Sequence, residues 1–186
     1  MASSEEIQPL SWRVLDIIIE RIHGLIGAGA LGVLTTLDGA DRSQPPDPRI
    51  VYDLGNEMGD LFGNKGAFAI LRQVGREIGR MFSDGTNPLE AREILQVTLR
   101  ELGFAYEIKL SETDAHICRC VFYDLLKADG HGPIRRPVCW MGWGFIEGCL
   151  KNVNGAHHVQ WQDRDEAAQA CRFAIRKTAD DYEPTR

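Results

Sequence analysis

Tyr106-Glu107-Ile108-Lys109-Leu110, a polar turn over Glu112 to Asp114, and then the run from Ala115 to Phe122 decide the fold class. In the first run apolar and charged residues alternate. That alternation is the signature of a strand with one face buried and one wet. The two runs are joined by only a few polar residues, so they read as an antiparallel hairpin rather than as parallel strands, which need a long crossover. A second hairpin reads from Ala156 to Trp161 and from Cys171 to Arg176. Two hairpins among helices give an α+β fold: an antiparallel sheet of two hairpins packed with about four helices.

Working outward, residues 11–26 form a helix on the spacing of Val14, Leu15, Ile18, Ile22 and Leu25, with Arg13, Asp16, Glu20 and Arg21 between them. The small residues from Gly27 to Gly32 read as backbone packing, because no phosphate-loop pattern accompanies them. Residues 38–49, with Asp38-Gly39 and Pro45-Pro46-Asp47-Pro48, read as a polar loop. A second helix spans 64–82. Gly75 and Gly79 stand one turn apart on it, where they let another helix approach closely. Arg72, Arg76 and Arg80 form a stripe that reads as a solvated face, with a carboxylate or partner surface as the alternative. Asn87-Pro88 starts a third helix, which runs to Leu102 and stops at Gly103. Residues 127–137 are a loop. The fourth helix, 138–151, carries Trp140, Trp143, Phe145 and Ile146, with Gly144 and Gly148 again permitting a close neighbour. The tail from Asp180 reads as loose.

The chain has 186 residues, 21 basic against 27 acidic, for a net charge of −6. This suits one domain, residues 1–186, with residues 1–50 as an N-terminal helix and Pro-rich loop. The acidic balance speaks against nucleic acid as a partner. No apolar run approaches the ~20 residues of a membrane span. The polar, acidic start lacks a secretory signal, so the expected location is cytoplasmic. In that compartment the five cysteines are thiols or metal ligands.

The candidates for chemistry fall into three groups. No nucleophile elbow and no dinucleotide fingerprint is present. Cys118 and Cys120 alternate along a strand and read as small buried thiols. Cys139, at a helix start, is the best placed ligand or reactive thiol. Asp163, Asp165 and Glu166 read as a solvated turn. The aromatic residues Trp140, Trp143, Phe145 and Trp161 read either as core or as the wall of a small-molecule pocket, with His116, His157 or His158 supplying polar groups.

The set Cys139-Trp-Met-Gly-Trp-Gly144-Phe-Ile-Glu-Gly148, followed by Cys171-Arg-Phe173-Ala-Ile175, resembles the vinyl-4-reductase domain family. The segment from Gly66 to Gly79 resembles that family's central helix, and Leu102-Gly103-Phe104 also fits. The resemblance covers about residues 60–177. It implies a ligand-binding α+β fold related to haem-nitric-oxide-binding domains and to Golgi-transport tethering subunits. It also implies a homodimer and a small apolar, aromatic or tetrapyrrole-like ligand. Trp140, Trp143, Phe145, Trp161 and His116 are then the ligand-binding residues.

In the family's phenol-sensing branch a structural zinc is held by two cysteines that match Cys139 and Cys171. The remaining Glu-x-x-Cys is absent: its positions fall at Gln160 and Asp163. The implied metal set is therefore Cys139, Asp163 and Cys171, with Cys120 or His131 as substitutes. The resulting expectation is a stand-alone binding or sensor domain that acts through an unidentified partner protein. The alternatives are an enzyme or accessory factor in tetrapyrrole (bacteriochlorophyll) biosynthesis with a working thiol at Cys139 or Cys120, and a dimeric interaction subunit using the glycine-lined helices.

Overall fold

A computed structural model describes residues 10–27, 29, 41–84, 105–111, 113–132, 136–151, 157–167 and 169–177. Its elements are α1 (Trp12–Ile26), α2 (Pro48–Ser83), β1 (Ala105–Leu110), β2 (Asp114–Cys120), α3 (Tyr123–Ala128), α4 (Pro137–Leu150), β3 (His157–Asp165) and β4 (Ala170–Lys177). The expected helix over 87–102 and the tail from 180 lie outside the described residues.

Ser11 caps α1 by accepting from the Val14 N–H, and Gly27 ends it with a left-handed φ of 80°. Val14, Leu15, Ile18 and Ile22 form the buried stripe of α1 against α2. The expectation of a loop over 38–49 is corrected at its end. Asp47 caps α2, accepting from the Arg49 N–H at 2.8 Å, and Pro48 is the first helical residue. This helix begins about sixteen residues before the expected start at 64. Its first segment buries Val51, Tyr52, Leu54 and Met58 at helical spacing. A bend at Gly63, with φ 67° and ψ 167°, joins it to the segment that the sequence does announce.

The four strands form one antiparallel sheet in the order β1-β2-β4-β3. Both expected hairpins are present, and β4 sits between β2 and β3. The turn expected at Asp163 to Glu166 starts later, because β3 continues to Asp165 through a bulge between Trp161 and Asp163. Val159, Phe173 and Ile175 are buried on the sheet face that packs against the helices. Among the described residues, no helix is long and apolar enough to cross a membrane.

Candidate functional site

The site grows out of the way α2 meets α4. Gly75 and Gly79 of α2 face the backbone of α4, and Gly144 and Gly148 of α4 face the backbone of α2. A Cβ on Gly75 would lie 2.0 Å from the Met141 carbonyl oxygen, and one on Gly144 2.0 Å from that of Arg72. Both helices therefore touch main chain to main chain, and any side chain at these points is excluded by rigid atoms. The close approach expected of these four glycines is realised within one chain. The interaction-subunit reading is corrected on that point: these stripes are already occupied and offer no dimer face.

The same crossing recruits charge. Glu147 is 9% exposed and accepts from Arg72 Nε at 2.9 Å and from Arg76 Nε at 2.6 Å, with a further bond from Arg72 Nη2. Arg72 and Arg76 are thus paired with a carboxylate, and the solvated-face reading is corrected for both. Two guanidinium groups on one carboxylate leave a positive excess beside aromatic rings. The Arg72 guanidinium lies 4.2 Å from the Trp143 ring centroid and 5.2 Å from that of Phe68.

Above this pair the aromatic residues form a layer between α2, α4 and the sheet. Phe68 stands edge-on to Trp140 at 5.4 Å and to Trp143 at 5.9 Å, and Trp143 meets Phe173 at 6.2 Å. The Trp143 indole donates to the Val159 carbonyl at 2.7 Å, tying α4 to the outer strand. Trp161 is in register with Phe173, on the same sheet face, and packs against this core. Its indole Nε1 is buried and has no hydrogen-bond partner among the described residues. Phe145 is buried in the helical core. Trp140, Trp143 and Trp161 are therefore brought to one layer, while His116 is not. His116 is in register with Arg172, whose face alternates with that of Phe173. The side chains of His157 and His158 lie outside the described residues. Sequence reasoning missed Phe68, Arg72 and Glu147 as parts of this layer; their partners are about seventy residues away in the chain, and spacing carries no signal of that.

The expected metal set is not assembled. Asp163 is exposed and paired with Arg172, whose Nε donates to it at 3.0 Å. Cys120, not Asp163, stands with Cys139 and Cys171. Burial pushes the Cys120 thiol up to about 12, and its two sulfur neighbours add to the shift. His131 faces Arg136 instead of the cysteines. Among the described residues, no group of three or more His, Cys, Asp or Glu is arranged to hold a metal ion. Asp163 is thereby removed from the expected set, Cys120 takes its place beside Cys139 and Cys171, and zinc itself is without support among the described residues. Cys149 donates to the Gly79 carbonyl at 3.4 Å, and burial pushes its thiol up as well.

No family model matches the sequence, and no curated protein matches it. Solved structures do. A single-substitution variant of Tt H-NOX aligns with a TM-score of 0.56 at 14% identity, over 95% of this chain and 100% of that one. A double-substitution variant of the same protein gives 0.56 at 15%, over 93% and 97%. An H-NOX structure described for the mechanism of H-NOX activation gives 0.54 at 14%, over 87% and 92%. At these identities the likeness establishes the fold: an α+β domain with the architecture of H-NOX domains, as the sequence led us to expect.

Proposed function

We propose that the chain is a small-molecule-binding sensor domain of the vinyl-4-reductase type, which takes an aromatic ligand against Trp140, Trp143, Phe173 and Trp161. The observation that carries this reading is the buried, unpartnered indole N–H of Trp161 beside an aromatic layer. A buried donor without an acceptor costs about 1–3 kcal/mol. A ligand with an aromatic ring and one oxygen supplies both the missing acceptor and apolar contact. The fold shared with H-NOX domains supports a binding role in general, not this ligand in particular. The homodimer and the unidentified partner protein stay part of the proposal, on surfaces other than the glycine stripes.

Haem does not fit the described residues. None of the histidines with a described side chain enters the buried layer: His23 is exposed, His116 is on the far sheet face and His131 is held by Arg136. The Cys149 thiol at the helix crossing is kept protonated by burial and is already bonded to the Gly79 carbonyl. A thiol mechanism at Cys120 is disfavoured on the same ground, since a group titrating at about 12 is not a thiolate at neutral pH.

The test is calorimetric titration with phenol and with toluene. Phenol is expected to bind more tightly than toluene, and Trp161→Phe to weaken phenol about fivefold while leaving toluene unchanged. Absence of saturable binding for both, with the wild-type chain folded, contradicts the reading.

A further inference from the structure

The arginine stripe of α2 is only partly used by the helix crossing. Phe68, Arg72, Arg76 and Arg80 recur at every fourth position, so they share one face of α2. Trp143 and Glu147 stand one turn apart on α4, across from that face. The two helices thus form a strip with aromatic rings at one end and guanidinium groups at the other. Arg72 joins the ends: its guanidinium lies 4.2 Å from the Trp143 ring centroid, and its Nε bonds Glu147 at 2.9 Å. Phe68 and Trp143 are half-buried, so part of each ring meets solvent beside these cations.

Charge along the strip does not balance. Glu147 takes Nε and Nη2 of Arg72 but only Nε of Arg76. The terminal nitrogens of Arg76 make no hydrogen bond among the described residues, and its side chain is 35% exposed. Arg80 Nε is buried and has no hydrogen-bond partner among the described residues. Among those residues, Glu147 is the one carboxylate bonded to the stripe, in a chain whose net charge is −6. Glu77 follows Arg76 but is turned about 100° off this face, where it accepts from Gln73 Nε2 at 3.0 Å. An anion gains from the excess of guanidinium groups, and the outer edge of Arg76 offers two parallel N–H groups to a carboxylate. An aromatic ring gains from Phe68 and Trp143. Arg76 lies one turn, about 5 Å, beyond Arg72 and so beyond the Trp143 ring. That spacing suits a carboxylate joined directly to a ring. We infer that the domain's ligands are aromatic carboxylates: the ring lies along Phe68 and Trp143, and the carboxylate accepts from Arg76. The inference rests on the small-molecule reading above and adds the charge of the ligand to it.

The test is calorimetric titration of the full chain with benzoate, benzamide and cyclohexanecarboxylate, beside phenol. Benzoate is expected to bind about tenfold more tightly than benzamide, its neutral isostere, and than the saturated acid. Added salt should weaken benzoate more than benzamide. Arg76→Gln should bring benzoate down to the level of benzamide, and Arg76→Lys, which keeps the charge, should restore part of the difference. A thermal melt of each variant checks that it is folded. Benzamide binding as tightly as benzoate, with phenol still bound, overturns the inference and leaves the small-molecule reading in place. Cyclohexanecarboxylate binding as tightly as benzoate overturns it in favour of a carboxylate site without aromatic recognition. Absence of saturable binding for all four compounds overturns the small-molecule reading, and this inference with it.

Discussion

The two segments of α2 meet their neighbours in opposite ways. Beyond Gly63 the helix crossing is held by main-chain contact and by a buried charge pair. Four glycines bring the main chains together, and Glu147 satisfies Arg72 and Arg76. Before Gly63 the helix is as deeply buried, but its polar contacts run between side chains: the Tyr52 hydroxyl lies beside Asn56 and Asp129. Main-chain contact fixes the second segment rigidly, and the first relies more on side-chain packing. The contrast is one of chemistry rather than of burial.

The largest predicted effect breaks the closed segment. Gly75→Ala or Gly144→Ala places a methyl 2.0 Å from a carbonyl oxygen that belongs to main chain and cannot rotate away. Each should cost about 3 kcal/mol or more in urea denaturation. Gly24→Ala in α1, where no atom lies within 4 Å of the new Cβ, should instead stabilise by up to about 1 kcal/mol. Equal effects at these positions would remove the claim of backbone contact.

Next comes the ion pair. Glu147→Gln leaves two guanidinium groups without their carboxylate and should cost about 3 kcal/mol. Arg76→Gln should cost about 1 kcal/mol, since the Arg76 side chain is 35% exposed and Glu147 keeps Arg72. A thermal melt of both variants checks the order.

A smaller effect is pH-dependent. Burial pushes the Cys149 thiol well above the ordinary thiol value, so the folded chain holds this proton where the unfolded chain has lost it. The resulting stability is complete below about pH 9 and is lost as pH rises beyond it. Cys149→Ser keeps a donor for the Gly79 carbonyl and does not titrate there, so its melting temperature should fall less between pH 8 and pH 10.5. Parallel curves for the two proteins would contradict this.

These features differ in how far the sequence announces them. The hairpins and the glycine pairs follow from local spacing, because period two and period four are properties of a single strand or helix. The helix start at Asp47-Pro48 carries the same cap-and-proline signal as Asn87-Pro88. It was hidden by the prolines before it, which make residues 45–48 look like one loop. The placing of β4 between β2 and β3, and the reach of Glu147 to arginines 71 and 75 positions away, depend on tertiary packing that no window of sequence contains. The Asp163 expectation failed for a related reason: the bulge after Trp161 puts its carboxylate beside Arg172, away from Cys171.

The central claim is that the two segments of α2 are held differently, and Tyr52→Phe tests the side-chain contacts of the first most directly. The change deletes one hydroxyl oxygen and leaves the ring in place. That hydroxyl is bonded to its neighbours Asn56 and Asp129, so its removal should lower the free energy of unfolding by about 1 kcal/mol. An unchanged or higher free energy of unfolding would mean that the hydroxyl has no partner within the chain, and would contradict the account.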